Sequence, residues 1–438
     1  MRSSLRLLFR GRQVPSCSSP SSSSPRQQQI TKMASVTGAT ATLSLATYHS
    51  TVTVRPPRPA EFPGLGPEAH HVKNRHGKTV KFQNPHTSWG PPTPLGLLSL
   101  FTKLATGLMP SPDAKLEDNL VPVINPELLP TRSSPSPALR ATWLGHACYY
   151  VEYPSGLRVL FDPVFEDCCA PVNFSSFKRY TPPPCKIADL PFVDAVMISH
   201  SHYDHLSYPS VQEVQKHHPN AHFFVGLGLE KWFKKGGLEN VTELDWWQDA
   251  EITLAPKEGD KESGPITATI SCLPSQHSSG RTSLDRDTTL WCSWAVTSGA
   301  PPADKKSVWF GGDTGYRYVP KVATGVDDYG PEYEHLPVCP QFRQIGERFG
   351  SFNVGLIPIG AYYPRPLFSG MHANPLDAVG IFLDTKCKKA MGIHWGTWVM
   401  TPEPVLEPPQ LLKEALARRG LPETGLFDVC DIGETREF

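Results

Sequence analysis

The chain has few of the features that mark secreted, membrane-spanning or disulfide-stabilised proteins. Its 438 residues contain only ten cysteines and no CxxC pair, which is too few for a disulfide framework and favours a reducing compartment. No apolar run reaches the roughly 18 residues that a transmembrane helix needs. The 42 basic and 42 acidic residues leave no net charge, so a strongly charged partner is not indicated by the chain as a whole.

Acidic residues are also missing from the first 60 residues, which contain eight basic ones. An Arg- and Ser-rich segment without acids is typical of a mitochondrial transit peptide, and the charges in LRLLFR interrupt the apolar run that a secretory signal requires. We therefore predict a mitochondrial, membrane-associated protein, with the cytoplasm or another internal membrane as the alternative. A disordered basic tail remains open, as does a second start at Met33.

Composition divides the chain into three parts. Residues 1–60 are predicted to be a transit peptide or disordered leader, 61–138 a Pro-rich extension, and 139–438 a hydrolase domain. Short apolar runs typical of strands, followed by strands that alternate with helical patterns, indicate an α/β fold with two sheets covered by helices. The apolar segment 95–109 contains Lys103 and predicts either an interfacial helix that contacts a membrane or a helix packed on the domain.

One hexapeptide concentrates side chains that bind metals. It reads His-Ser-His-Tyr-Asp-His at 200–205 and directly follows the apolar segment AVMIS. A strand that ends in a loop at this point brings three imidazoles and a carboxylate together. These are ligands suited to Zn²⁺, iron or manganese, and their close spacing favours two ions over one.

Two ions need further ligands, and three candidates follow apolar strands. His277 ends ITATISCLPSQH, Asp313 ends SVWFGGD and His394 ends AMGIH. Glycines beside Asp313 allow the backbone to approach an ion closely. A single histidine at a strand end is more often structural, but the ordered combination with the hexapeptide favours one shared metal site.

Further motifs of the globular part form a recognisable set. They are TWLGHACYYVE (142–152), FDPVF (161–165), SHSHYDHL (199–206), PSQHSSGRTSLDRDTTLWCSWAV (274–296), FGGDTGY (310–316), IGAYYPR (359–365), MHANPLDAV (371–379) and KKAMGIHWGTW (388–398). This set resembles the N-acylphosphatidylethanolamine-hydrolysing phospholipase D family, a branch of the metallo-β-lactamase superfamily. The resemblance extends over most of the globular part.

The resemblance implies a metallo-β-lactamase αββα four-layer sandwich preceded by an N-terminal extension. It implies an enzyme with two Zn²⁺ that hydrolyses N-acylphosphatidylethanolamine to N-acylethanolamine and phosphatidic acid. In that mechanism a hydroxide bridging the metals attacks phosphorus. The substrate is a phospholipid in a bilayer, so we expect peripheral membrane contact; a homodimer is left open.

The resemblance also assigns roles to individual residues. One ion is assigned to His200, His202 and His277, the other to Asp204, His205 and His394, and Asp313 bridges them. Asp204, Asp313 and His372 are the expected catalytic residues, with His372 as an acid or as a donor to a phosphoryl oxygen. Tyr203, Arg281 and His372 are the expected substrate contacts. Asp162 is expected to orient ligand imidazoles, and His146 to be structural or to act behind the ligands.

Three other function classes compete with this prediction. Another metallo-β-lactamase-fold hydrolase, such as a sugar-phosphate lactonase or a different ester or phosphodiester hydrolase, shares the metal set and is the alternative. A nuclease is disfavoured because residues 61–438 contain eight more acidic than basic residues, and we predict no nucleic-acid partner. A non-catalytic scaffold is disfavoured because no ligand of the set is missing.

Overall fold

The structure is a computed structural model, and we describe the parts of it given by residues 48–56, 66, 68–109, 120–170, 178–256, 264–282, 284–299, 305–322 and 326–438. In these ranges no helix has both the length and the apolar composition needed to cross a membrane. The predicted transit peptide lies almost wholly outside them.

The larger sheet has eight strands among the described residues. In spatial order they are β1 (His49–Val54), β10 (Gln248–Ala255), β11 (Ile266–Leu273), β12 (Ser293–Ser298), β13 (Lys306–Phe310), β14 (Val354–Pro358), β15 (Ala390–Ile393) and β16 (Phe427–Asp428). Pairing is antiparallel from β1 to β13 and parallel from β13 to β16.

The second sheet has seven strands in the part of the chain that is described. In spatial order they are β17 (Thr435–Glu437), β4 (Arg140–Gly145), β5 (Cys148–Glu152), β6 (Arg158–Phe161), β7 (Ala195–Met197), β8 (His222–Gly226) and β9 (Val241–Leu244). Pairing is antiparallel from β17 to β6 and parallel from β6 to β9. A separate hairpin joins β2 (His71–Lys73) and β3 (Thr79–Phe82).

The described ranges also contain seven helices. They are α1 (Pro94–Ala105), α2 (Tyr208–His217), α3 (Glu230–Lys235), α4 (Gln341–Phe349), α5 (Arg365–Phe368), α6 (Pro375–Asp384) and α7 (Glu407–Arg418). Short 3₁₀ turns occur at Ile187–Asp189 and Pro331–Tyr333. Sequence signals mark the starts of α1, α2 and α6. The side chains of Thr93, Ser207 and Asn374 each accept the backbone N–H three residues further on, and each helix has a proline in its first turn.

Alternation along β5 shows how the layers form. Tyr149 and Val151 belong to a central core that also contains residues of β10 to β15, whereas Tyr150 belongs to a second core with Val211 of α2 and Phe233 of α3. Successive side chains of a strand point to opposite faces, so the two sheets pack face to face with helices outside. On the other side α6 packs on β14 and contacts α4 and α7. The predicted four-layer αββα arrangement is confirmed.

A strand within the first 60 residues, β1, takes part in this fold. β1 pairs with β10 along its whole length, from His49 opposite Ala255 to Val54 opposite Ala250. The compact unit runs over 46–438 and so begins inside the stretch that composition assigns to the leader. The boundaries predicted at residues 60 and 138 rest on composition alone and stay a prediction.

Most of the 95–109 segment is helical and packs on the domain at one point, and its contact with a membrane stays a prediction. It forms α1, in which only Leu100 is buried. A Cβ on Gly96 would lie 2.4 Å from Leu367, so the helix packs closely on the domain at that point. Leu95, Leu98 and Phe101 remain 77%, 63% and 64% exposed, which leaves an apolar face on the surface.

Candidate metal centre

The seven predicted metal ligands come together at the edge where four strands end. The strand ends are those of β7, β11, β13 and β15, followed by His200, His277, Asp313 and His394 respectively. The remaining three ligands lie in the turn after β7, which is closed by a hydrogen bond from the Leu206 N–H to the His202 carbonyl at 2.8 Å. Strand ends thus supply a rigid frame, and one tight turn supplies the rest.

A glycine makes this convergence sterically feasible. Gly312 has φ +57°, and a Cβ there would lie 2.6 Å from the Cβ of Ser199. No real Cβ pair approaches so closely, so only glycine lets the chain before Asp313 reach the strand end that carries His200. This agrees with the close approach that the glycines beside Asp313 predict.

The first group of donors consists of three histidines and one carboxylate oxygen. His202 Nδ1 lies 2.8 Å from His200 Nε2 and 3.2 Å from His277 Nε2. Asp313 Oδ2 lies 3.8 Å from His200 Nε2 and 3.5 Å from His277 Nε2. The four side chains therefore surround one point at spacings that suit a metal ion.

The second group faces the other oxygen of the same carboxylate. Asp313 Oδ1 lies 3.1 Å from His205 Nε2 and 3.0 Å from His394 Nε2. Asp204 Oδ2 lies 3.4 Å from each of those two nitrogens. Asp313 therefore stands between the two groups with one oxygen toward each, as a bridging residue would.

Unsatisfied buried atoms show that this arrangement suits a cation. Asp313 Oδ1, His205 Nε2 and His394 Nε2 are buried and have no hydrogen-bond partner within the described residues. Leaving buried polar atoms unpaired costs about 1–3 kcal/mol each, and imidazole nitrogens with carboxylate oxygens are the donors that zinc-class ions prefer. The residues fit a divalent-metal centre.

The two groups of donors differ in protonation. Burial lowers the pKa of His200 and His277 well below the ordinary value, so both imidazoles are neutral and carry a free lone pair. Burial disfavours a charged imidazole, but Asp313 and Asp204 raise the pKa of His205 and of His394 above the ordinary value, so these two rings must lose a proton to bind a metal. Burial opposes ionisation of Asp313, but His205 and His394 hold its pKa well below the usual range. Deprotonated imidazole and carboxylate are the forms that bind metals.

Groups behind the ligands hold the rings in orientation. Asp162 Oδ2 lies 2.7 Å from His205 Nδ1 and accepts the Ser199 hydroxyl at 2.6 Å, and that hydroxyl lies 2.9 Å from His200 Nδ1. His277 Nδ1 lies 2.8 Å from the Met371 carbonyl. Such partners fix the tautomer of a metal-binding histidine, which is the role expected of Asp162.

His146 supports the second group from outside. Its Nε2 lies 3.1 Å from Asp204 Oδ2, and its carbonyl accepts the His394 N–H at 3.1 Å. Burial lowers the pKa of its imidazole to about 3, so the ring is neutral. His146 and His394 have φ of 51° and 63°, and such left-handed non-glycine backbone concentrates at functional sites.

A cavity of about 270 Å³ opens onto the centre. Its wall includes His202, Tyr203, Asp204, Asp313, Phe368 and His372. The Nδ1 atom of His372 lies 4.0 Å from Asp313 Oδ2, and burial lowers the pKa of this ring to about 4. His372 and Tyr203 therefore line the cavity, and their contact with a substrate stays a prediction.

The Arg281 side chain packs against the turn that carries the ligands. Its Nη1 donates to the Ser201 carbonyl at 3.1 Å and to the Leu206 carbonyl at 2.7 Å. Its guanidinium carbon lies 3.9 Å from the centroid of the Tyr203 ring, and among the described residues Arg281 is not part of the cavity wall. The guanidinium clamps both ends of the ligand turn, and a direct contact with substrate stays a prediction.

The N-terminal extension contributes residues that the sequence analysis missed. The Asn84 side chain donates to the carbonyl of His277 at 2.7 Å. Ser88 donates to the Gln276 side chain at 2.6 Å, and the Gln276 N–H is accepted by Thr314 at 2.8 Å. Asn84 and Ser88 are ordinary polar residues of a Pro-rich stretch, so no sequence signal indicates that they support the ligands.

Comparisons with known proteins agree with this geometry. A family model described as the Beta-lactamase superfamily domain matches residues 157–395. The chain is 36% identical to the Caenorhabditis elegans protein named N-acyl-phosphatidylethanolamine-hydrolyzing phospholipase D 1, over 83% of this chain and 93% of that protein. It is 33% identical to the Saccharomyces cerevisiae protein named N-acyl-phosphatidylethanolamine-hydrolyzing phospholipase D, mitochondrial, over 68% of this chain and 55% of that protein.

Among solved structures, a metallo hydrolase from Ignicoccus hospitalis matches 69% of this chain and 98% of its own, with 19% identity and a TM-score of 0.44. The family match includes all seven predicted ligands and ends one residue after the last of them, His394. The chain belongs to the N-acylphosphatidylethanolamine-hydrolysing phospholipase D family of the metallo-β-lactamase superfamily and is a metal-dependent phosphodiester hydrolase.

Proposed function

We propose that the chain is a zinc-dependent phospholipase D that hydrolyses N-acylphosphatidylethanolamine to N-acylethanolamine and phosphatidic acid. The observation that carries the proposal is the double group of donors sharing Asp313, which opens onto a cavity beside His372. Two Zn²⁺ ions are the occupants that best match six histidine and aspartate donors around a shared carboxylate. The similarity to relatives named for this reaction supports the choice of substrate.

Divalent ions held by these seven residues would supply the Lewis acidity that activates water and neutralises charge on phosphoryl oxygens. The protein residues keep the donors in place for this chemistry. Asp162 holds the His205 ring, and the Met371 carbonyl holds the His277 ring. Both supports come from the protein itself, and the Asp162 side chain is buried.

His372 is the residue that we assign to the substrate phosphate. Its Nδ1 is buried and lacks a hydrogen-bond partner within the described residues, while its backbone is fixed by a hydrogen bond to the Phe368 carbonyl at 2.7 Å. A neutral imidazole in this position can donate a proton in a hydrogen bond to a phosphoryl oxygen or to the leaving group. Met371, its neighbour, orients His277, so one short segment serves both the ligand and the substrate.

The substrate of this reaction lies in a bilayer, and α1 supports peripheral contact with it. The exposed Leu95, Leu98 and Phe101 present apolar surface beside a groove of about 670 Å³. The groove is bounded by α1 and by residues 363–367, and Phe368 follows directly in the catalytic cavity wall. Apolar surface with Lys103 close by suits the boundary between headgroups and acyl chains.

Binding to vesicles tests this contact. We expect Leu98→Glu and Phe101→Glu to reduce sedimentation with vesicles of phosphatidylcholine and phosphatidylserine, since a charge in the acyl region is unfavourable. Leu284→Glu is the matched control, because Leu284 is 91% exposed outside α1. Equal sedimentation of all variants would contradict the assignment.

We also propose mitochondrial localisation. The acid-free, Arg-rich residues 1–47 support it, as does the similarity to a yeast relative whose name includes the word mitochondrial. A fusion of residues 1–60 to a fluorescent reporter should accumulate in mitochondria. A reporter spread through the cytosol would contradict import.

The proposed reaction is tested with purified full-length protein on a panel of substrates. N-acylphosphatidylethanolamine vesicles should yield N-acylethanolamine and phosphatidic acid, identified by mass spectrometry, and a chelator should abolish both. A sugar-phosphate lactone under the same conditions should remain intact. Turnover of the lactone without turnover of the phospholipid would overturn the proposal in favour of the lactonase alternative.

A further inference from the structure

A second cluster of metal-binding side chains lies outside the catalytic centre. It consists of His70 and His71, at the start of the β2–β3 hairpin, and Asp245, in the connection between β9 and β10. The proposed function uses none of these residues. The cluster joins the N-terminal extension to the domain.

The donor atoms of the cluster are as close together as those of the catalytic centre. His70 Nε2 lies 2.7 Å from Asp245 Oδ1, and His71 Nε2 lies 2.9 Å from Asp245 Oδ2. In the catalytic centre the nearest donor atoms of different ligands are 2.8–3.2 Å apart. The same residue types at the same spacing form the ligand sets of zinc-class ions.

The surroundings fix the three donors in the orientation that a cation requires. The ring of His70 stacks on the ring of Trp246 with centroids 4.4 Å apart, and the backbone N–H of Trp246 donates to Asp245 Oδ1 at 2.8 Å. His71 Nδ1 lies 2.8 Å from the Thr79 hydroxyl. A hydrogen bond on the far nitrogen of a ring turns the other nitrogen toward a metal and sets its tautomer.

The burial and charge of the three side chains are also suitable for binding a cation. The His70 and His71 side chains are only 2% and 6% exposed, and burial lowers the pKa of His70. Burial opposes ionisation of Asp245, but hydrogen bonds from His70 and His71 hold the pKa of this carboxyl below its usual range. The cluster therefore presents two aromatic nitrogens and one negative charge in a largely buried place.

We propose that His70, His71 and Asp245 bind a further divalent cation of the zinc class, with a structural role. Three protein donors leave one position of a tetrahedral ion for water. The ion would fasten the β2–β3 hairpin to the domain. This proposal does not rest on the proposed function.

The attachment has a consequence for the catalytic centre. The residue after β3, Gln83, donates its N–H to the His70 carbonyl at 2.9 Å, and Asn84 donates to the carbonyl of the predicted ligand His277 at 2.7 Å. An ion on His70 and His71 therefore steadies the segment that supports His277. Loss of the ion should loosen that support without removing any catalytic ligand.

The competing explanation for the close contacts is hydrogen bonding without a metal, in which both histidine rings donate to the Asp245 carboxylate. Glutamine distinguishes the two, because its amide can donate to the carboxylate in place of Nε2 but is a poor zinc ligand. The double variant His70→Gln, His71→Gln and the control His76→Gln are prepared as full chains. His76 lies in the exposed hairpin turn, outside the cluster.

The experiment measures zinc per chain by mass spectrometry after equilibration with Zn²⁺ and removal of the excess. We expect the double variant to contain about one ion per chain less than the wild-type protein and the His76→Gln control. Equal zinc content in all three proteins would overturn the proposal.

A measurement on the unaltered protein keeps the proposal testable if the double variant fails to fold. Crystals of the zinc-loaded full chain should give an anomalous difference peak at the zinc absorption edge between His70, His71 and Asp245. A map with peaks at the catalytic centre and none at this cluster would overturn it.

Discussion

Replacing Asp162 by asparagine tests whether the groups behind the ligands control metal binding. The Asp162 Oδ1 atom accepts the Ser199 N–H at 2.7 Å, and Oδ2 lies 2.7 Å from His205 Nδ1. In Asp162→Asn the amide oxygen keeps the Ser199 N–H, so the NH₂ group faces His205 Nδ1. The Asn NH₂ group and a protonated Nδ1 of His205 would both be hydrogen-bond donors facing each other. His205 must therefore carry its proton on Nε2, and that proton occupies the lone pair that faces Asp313.

The size of the effect follows from the hydrogen bond that is lost. A hydrogen bond to a charged acceptor contributes about 1.5–3 kcal/mol, which corresponds to about 10- to 100-fold in an equilibrium constant. Loss of a partner behind a metal ligand typically weakens metal affinity or activity by the same 10- to 100-fold range. We therefore expect Asp162→Asn to bind zinc about 10- to 100-fold more weakly while the protein stays folded.

Competition with a chromophoric chelator measures this affinity directly. Asp327→Asn is the matched control, since the Asp327 side chain is 52% exposed and pairs with Arg418, and it should bind zinc as the wild-type protein does. Wild-type affinity in Asp162→Asn would refute the claim that Asp162 sets the tautomer of His205.

Three further predictions concern the centre itself. Asp313→Ala should lower zinc content and abolish activity, as measured by metal analysis and product release, because both groups of donors lose their shared carboxylate. His372→Ala should retain zinc and lose about 10²–10⁴-fold in rate, the range for a positioned proton donor, whereas His335→Ala at an exposed position should be unaffected. In the metal-free chain burial disfavours a charged His394, but Asp313 and Asp204 raise its pKa to about 9. Burial likewise disfavours a charged His205, but Asp313 and Asp204 raise its pKa well above the ordinary value. Zinc must displace these protons at neutral pH, so affinity should rise by at least about tenfold per pH unit from pH 7 toward 9, which titration calorimetry in buffers of different ionisation enthalpy can measure.

Each of these outcomes has a contrary result that would be informative. Full activity in Asp313→Ala would rule out the bridge. An unchanged rate in His372→Ala with zinc intact would make His372 structural. Zinc affinity independent of pH, with no proton release, would show that His205 and His394 are already neutral in the metal-free chain.

The strand and ligand pattern around the centre could be predicted because it is local. An apolar strand followed at once by a metal-binding side chain fixes both the element and the direction in which the ligand emerges, as for His277 and His394. The hexapeptide 200–205 places four ligands within six residues, so their closeness in space follows from the sequence alone. Strand β7 is shorter than the apolar run suggests, since residues after Met197 already turn toward the centre.

Contacts that join distant segments could not be predicted. β1 pairs with β10 across about 200 residues, and neither strand indicates its partner in its own pattern. The direction of the Arg281 side chain depends on the carbonyls of the ligand turn, which become acceptors only once the turn has folded. The contact of His70 and His71 with Asp245 could not be predicted for the same reason. Nothing in the sequence around this histidine pair indicates that Asp245, about 175 residues away, lies beside it.

The most direct test of the central claim follows the oxygen of water through the reaction. Full-length protein with zinc is incubated with N-acylphosphatidylethanolamine vesicles in water enriched in ¹⁸O, and both products are analysed by mass spectrometry. Attack of water on phosphorus at the metal centre places the label in phosphatidic acid and leaves N-acylethanolamine unlabelled. Label in N-acylethanolamine, or no product from this lipid, would contradict the account.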